Sequence, residues 1–256
     1  MIDVATRVPV DVCMTDDSTC TAECVCGTGY VLFEGKCTEE SSDAVTNNIA
    51  ARTNLLTNIL DVAESEDATE ESVIALSDTL TSATQRNDLV TPEVANLVLG
   101  TAEMVIESAS ATGTSAETIA GVLGAIDSAS TIDASSDRRR RLTASSQNNT
   151  NQLLQSFAQL MGDGMVDGQD AFEAVQDTFK MTLSVVNSES DNAFVVNVPQ
   201  TSQQAAFDTP QTSLNISLVK NTGSVATSII ETSVAQYLDE GVDFTSNPIG
   251  LSLTAT

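Results

Sequence analysis

The chain contains no histidine, no tryptophan and only ten basic residues. Without histidine, neither a Ser-His or Cys-His nucleophile pair nor an imidazole metal site can form. No glycine-rich phosphate-binding loop and no paired-carboxylate motif stands in their place. We therefore predict that the chain is not an enzyme and that it uses no cofactor and no metal ion.

Basic residues are so few that the 36 acidic residues leave a formal net charge of −26. Such a surface repels nucleic acid and anionic lipid headgroups, which argues against both as partners. Aromatic residues make up only 4% of the chain, whereas hydrophobic residues make up 41%. This composition predicts a folded protein with a core of Val, Ile, Leu and Ala.

Cysteine is absent after residue 37, and five cysteines precede that point: Cys13, Cys20, Cys24, Cys26 and Cys37. Such clustering is typical of a disulfide-bonded module that is too small for a hydrophobic core, and of extracellular proteins. Because the count is odd, one cysteine lacks a partner or pairs with a cysteine upstream in a longer chain. A zinc site is the alternative, but a ligand set without histidine fits it poorly.

The sequence has no stretch of roughly 18 apolar residues that could form a transmembrane helix. Its first residues, Met1–Val12, also lack the apolar core of a signal peptide. Together with the cysteines, this suggests a piece of a longer secreted or membrane protein that meets a membrane only through a segment outside this chain. Glycosylation triplets at Asn148 and Asn215 agree with an extracellular or cell-surface location.

Residues 41–130 have the apolar spacing of four amphipathic helices joined by short polar links. Asp67 and Glu70 predict a capping box at the start of the second helix. Thr91 followed by Pro92 predicts the start of the third. These features indicate a helical bundle.

Residues 131–150 lack apolar periodicity and predict an exposed linker. This segment contains four consecutive basic residues: Arg138, Arg139, Arg140 and Arg141. One interpretation is a processing site for a subtilisin-like convertase, because such proteases need an exposed and flexible substrate. The alternative is a solvated linker or an electrostatic contact with a neighbouring acidic chain.

The apolar period changes to two residues after a further helix near Leu153, which predicts β-strands. The alternating runs begin at Met181, Phe194, Leu214 and Ile249. Residues 151–256 therefore predict a helix followed by an antiparallel β-sandwich, so that the chain belongs to the α+β class. Because so few strands close a sandwich poorly, we expect the missing strands to come from elsewhere.

Residues 1–40 resemble part of an EGF-like disulfide module. The resemblance rests on Cys24-Val25-Cys26-Gly27-Thr28-Gly29-Tyr30 followed by Gly35-Lys36-Cys37. It implies that Cys26 and Cys37 form a disulfide bond.

Residues 41–256 resemble GAIN, an extracellular juxtamembrane region of adhesion G-protein-coupled receptors and of polycystin and egg-jelly-receptor (REJ) proteins. The helical layer followed by a β-layer is similar, and so are the segments Leu76–Thr81, Leu89–Val94, Leu214–Asn221, Val225–Ile230 and Asn247–Leu253. The Cys/Trp-rich cleavage segment of that family is absent from this sequence. Self-cleavage is therefore not implied.

The resemblance implies a non-catalytic extracellular region of a cell-surface receptor for adhesion, ligand sensing or force sensing. Its partner would be an extracellular protein or a glycan. The alternative is a structural subunit of an extracellular filament or surface coat that self-associates by strand addition.

Overall fold

The computed structural model describes eleven stretches of the chain: 8–10, 23–25, 30–33, 36–65, 67–85, 89–135, 144–187, 193–206, 211–217, 224–232 and 249–255. The helices are α1 (Asp43–Ser65), α2 (Glu70–Thr84), α3 (Pro92–Thr112), α4 (Gly121–Ser135), α5 (Ala144–Gly164) and α6 (Ser202–Ala206). The strands are β1 (Val8–Val10), β2 (Glu23–Val25), β3 (Tyr30–Phe33), β4 (Lys36–Glu39), β5 (Phe172–Val175), β6 (Phe179–Asn187), β7 (Ala193–Asn197), β8 (Ser213–Ser217), β9 (Ser224–Thr232) and β10 (Ile249–Ala255). The predicted α+β class is confirmed.

Two helix starts show how local sequence sets the boundaries of the bundle. Thr91 caps α3 as predicted: its hydroxyl accepts a hydrogen bond from the backbone N–H of Val94 at 3.3 Å, and Pro92 is the first helical residue. The predicted capping box of α2 was wrong, because the helix begins at Glu70 and its cap is Thr69 rather than Asp67. The Thr69 hydroxyl accepts from the Ser72 N–H at 3.2 Å, and the Ser72 hydroxyl accepts from the Thr69 N–H at 2.9 Å.

The segment predicted as an exposed linker, residues 131–150, is helical at both ends, since α4 continues to Ser135 and α5 begins at Ala144. Thr150 is buried, so this part of the prediction was wrong. In α4, just before this segment, Ser130 is buried as well, and its hydroxyl donates to the Ile126 carbonyl at 2.8 Å.

Four antiparallel strands form the main sheet, in the order β10–β9–β6–β5. The sequence predicts β6 and β10 from their alternating side chains, but alternation does not reveal β9. Every residue of β9 is buried or half-buried. A strand covered on both faces has no polar side to alternate with an apolar one.

One face of the sheet packs against the helices. Phe179, Met181 and Ile230 belong to the same buried apolar cluster as Phe157 of α5, and this cluster continues through α1 to α4. The helical and β parts of the chain therefore share one core.

The opposite face is covered by the antiparallel hairpin β7–β8. Val196, Val198 and Ile216 pack there against Ile229 of β9. The Thr182 hydroxyl donates to the backbone carbonyl of Asn197 at 2.9 Å.

Candidate interaction surface

Several predicted site residues fall outside the described part of the chain. These are Cys13, Cys20, Cys26 and the run Arg138–Arg141. Cys24 lies in β2 and Cys37 in β4, where only the backbone is described. The predicted disulfides and the predicted processing site therefore stay predictions.

The two predicted glycosylation sites lie in different elements. Asn148 lies in the first part of α5, where side chains are not described. Asn215 is exposed in the middle of β8 and pairs with Val195 of β7, which is also exposed. Its neighbour Ile216 is buried against the main sheet. Alternation along the strand thus directs Asn215 to solvent, where a glycan could be attached.

Within the described stretches, no three or more cysteine or acidic side chains lie close enough together to hold a metal ion. Among the helices that the structure describes, none combines the length and hydropathy that a bilayer span requires.

Within the described part of the chain, β10 forms an open edge of the main sheet. Among the described residues, β10 pairs only with β9, in a register that runs from Ile249 opposite Glu231 to Ala255 opposite Val225. A strand in this position presents a row of backbone N–H and C=O groups to any extended chain that approaches.

Three large apolar side chains point outward along this edge strand. Ile249, Leu251 and Leu253 are 41%, 49% and 48% exposed. Because Leu251 lies directly opposite Ile229, all three lie on the face that carries the β7–β8 hairpin. They extend the apolar layer beyond the hairpin, and we refer to these three residues and the backbone of β10 as the β10 edge.

The β10 edge is also uncharged. No residue from Ile249 to Ala255 is ionisable, and the only acid on the neighbouring strand β9 is Glu231. Glu231 forms an ion pair with Lys180 at 3.4 Å, with side chains that are 7% and 12% exposed, respectively. Lys180 also donates to the Gln204 side chain at 2.8 Å. On the face that carries the β7–β8 hairpin, the described residues of β9 and β10 together with Lys180 are therefore electrically neutral, although the chain carries a net charge of −26.

The other edge of the sheet differs in length and charge. β5 has four residues, and Glu173 near its middle is exposed. A short strand with a charge is a common protection against edge-to-edge pairing. β10 has seven residues, with no charge and no proline. Judged from the described residues, neither a short length nor a charge protects the β10 edge.

A buried carboxylate fixes the sheet to the helices. Asp127 of α4 is 6% exposed, and its Oδ1 accepts from the Thr178 N–H at 2.8 Å and from the Thr178 hydroxyl at 2.7 Å. Thr178 lies in the turn between β5 and β6. Sequence reasoning missed this contact, since nothing in the local pattern separates Asp127 from the many surface acids.

A polar cleft of about 380 Å³ opens between α5 and β9. Three glutamines of α5 line one side, and Thr227 and Ser228 line the other. Glu103 and Asp163 also line this cleft, and none of the described lining residues is basic. Amide, hydroxyl and carboxylate groups without a cation suit a neutral polar ligand better than an anion.

No protein-family model matches the chain, and no curated protein matches it. The similarity to GAIN and to EGF-like modules therefore rests on the sequence motifs alone.

Proposed function

We propose that the chain is a non-catalytic extracellular region of a cell-surface adhesion or sensing receptor, and that it binds a partner through the β10 edge. The observation that carries this proposal is the row formed by Ile249, Leu251 and Leu253 on an open strand. Strand addition would supply main-chain hydrogen bonds, and the three apolar side chains would supply selectivity.

The way in which the sheet is held supports a sensing role. β6 and β9 share a core with the helices, and Asp127 holds the turn before β6. A force or a ligand acting on the sheet would therefore act on the helical layer as well. In β10, by contrast, none of the described side chains is buried. β10 is thus bound to the rest of the sheet mainly by its ladder with β9, so that its release would expose little of the shared core.

The N-terminal cysteines and one exposed asparagine support an extracellular setting. Five cysteines before residue 38 resemble an EGF-like module, which would be stable only in an oxidising compartment. Asn215, in the triplet Asn215-Ile216-Ser217, is exposed and open to glycosylation.

Reading the transcript through both ends tests the receptor part of the proposal. We expect a membrane-spanning segment downstream, and surface staining of intact cells that express the tagged full reading frame. A stop codon directly after Thr256 would contradict it.

Adhesion measurements test the binding surface. Cells displaying the chain would be allowed to adhere to cells of the source organism, with Leu251→Lys as the variant and Val62→Lys as the control. Both residues are 49% exposed, but Val62 lies on helix α1 and is not part of the sheet. We expect Leu251→Lys alone to abolish adhesion; equal adhesion of both variants would exclude the β10 edge.

The open edge equally supports the alternative, a structural subunit of an extracellular filament or coat. A filament requires the β10 edge of one copy to meet a different surface of the next. Electron microscopy of the concentrated chain separates the two functions, since the alternative expects filaments and the receptor expects none.

A further inference from the structure

The partner that best fits the β10 edge can be deduced from its charge and its pattern. A segment that pairs there must be extended and must place apolar side chains on alternate positions of one face. It should also be uncharged in the middle, because a charge would be buried against Leu251. Within the described residues, β10 itself meets all of these conditions.

We propose that two copies of this chain associate through their β10 strands, paired antiparallel about a two-fold axis at Ser252. Ser252 is the middle residue of the seven-residue strand. The pairing would join two four-stranded sheets into one continuous sheet. It is self-complementary, as an isologous interface must be. This inference rests on the proposed function in so far as both use the β10 edge.

The register follows from the position of the axis. With Ser252 opposite Ser252, Leu251 of each copy lies opposite Leu253 of the other. Odd-numbered residues then stay on the same face in both copies. The exposed apolar rows of the two copies therefore merge into one row, whereas a shift by one residue would separate them.

Electrostatics favour this surface over the remainder of the molecule. Two chains that each carry a formal net charge of −26 repel one another. On the face that carries the β7–β8 hairpin, the β10 edge and the neutralised Lys180–Glu231 pair beside it bring no net charge of these strands to the contact. Because the remaining repulsion is long-range, salt should screen it. We expect the dimer to become tighter as the salt concentration rises.

Pairing of β10 with β5 of another copy, which would build a filament, fits less well. The two strands differ in length, with seven and four residues. Such pairing would also bring the exposed Glu173 against an apolar strand. The two-fold pairing closes at two copies.

Sedimentation equilibrium of the full chain tests the proposal, with non-reducing gels to exclude covalent dimers through the odd cysteine. We expect a reversible dimer. In the Leu251→Lys variant, the dissociation constant of the dimer should rise about tenfold or more, because the new lysine charge is buried against Leu253 of the other copy. Val62→Lys adds the same charge on α1 and should leave the constant unchanged.

A mixing experiment tests the register. Leu251→Lys and Leu253→Glu should each weaken the dimer alone, yet form a heterodimer when mixed, because the new Lys and Glu lie opposite one another. Mixing Leu251→Lys with Leu251→Glu should restore less dimer, since position 251 of one copy is only a diagonal neighbour of position 251 of the other. Equal rescue in the two mixtures would overturn the register, and so would rescue in neither.

A chain that stays monomeric at all protein and salt concentrations would overturn the inference. If such a chain still loses cell adhesion in Leu251→Lys, the proposed function stands and its partner is a different protein. If the chain dimerises as described but adhesion does not depend on Leu251, the inference stands and the β10 edge is not the receptor's adhesive surface. Filament growth would overturn the two-fold pairing.

Discussion

At the scale of single residues, the contact between Asp127 and Thr178 has the clearest consequence. It joins α4 to the β5–β6 turn through two hydrogen bonds to one buried carboxylate oxygen. Both donors belong to a residue that is itself buried. A buried donor without its acceptor costs more than the bond contributes when made.

We expect Asp127→Ala to lower the free energy of unfolding by about 3 kcal/mol, because two buried donors lose their acceptor. Asp127→Asn keeps a carbonyl oxygen and should lose about 1 kcal/mol. The control is Asp177→Ala, one residue before Thr178, where the side chain is exposed. Urea unfolding measures all three; a loss in Asp177→Ala equal to that in Asp127→Ala would contradict the role given to Asp127.

Residues of this kind mark the limit of what the sequence could predict. Asp127 is one of 36 acids, and only the fold shows that it meets Thr178, which is 51 positions away. The β10 edge was partly predictable, because the alternation from Ile249 to Leu253 was visible. Its position at the edge depended on pairing with β9, which the sequence pattern did not reveal.

At the scale of elements, apolar periodicity predicted the helices and strands that bury one face and expose the other. α1 and α3 have polar and apolar sides, so their spacing was informative. α4 was likewise predicted from its buried Val122 and Ile126. β9 has no exposed face, so its apolar side chains do not alternate with exposed polar ones. Helix caps were predictable in kind but not always in position: the sequence favoured Asp67 for α2, whereas the structure uses Thr69, a residue of another type that caps helices.

The corrected start of α2 makes a prediction at this scale. We expect Thr69→Ala to lower the free energy of unfolding by about 1 kcal/mol, because the Ser72 N–H loses its hydroxyl acceptor. Asp67→Ala, at the position that the sequence favoured, should change it by less than about 0.5 kcal/mol. Thermal or urea unfolding of the two variants decides between the caps, and the reverse order of losses would restore the original interpretation.

At the scale of the whole molecule, the arrangement of the core bears on the arginine run. α4 ends before the run and α5 begins after it. Val122 and Ile126 of α4 lie in the same buried cluster as Leu154 and Phe157 of α5. A cut within the run would therefore break the chain between two helices that the core continues to hold.

We expect a convertase to cleave the folded chain after Arg141 and the two pieces to stay together as one particle. Gel filtration should show an unchanged elution volume, while a reducing denaturing gel shows two bands. Replacing all four arginines with alanine is the control and should abolish cleavage. Because the sequence predicts that this run is exposed, the replacement should change the free energy of unfolding by less than about 1 kcal/mol. In a receptor region, such a two-chain form would hold its N-terminal part on the sheet only by non-covalent packing. Force could then separate the two parts without breaking a covalent bond. If the cleaved pieces separated spontaneously in native buffer, the shared core would not be what holds them together.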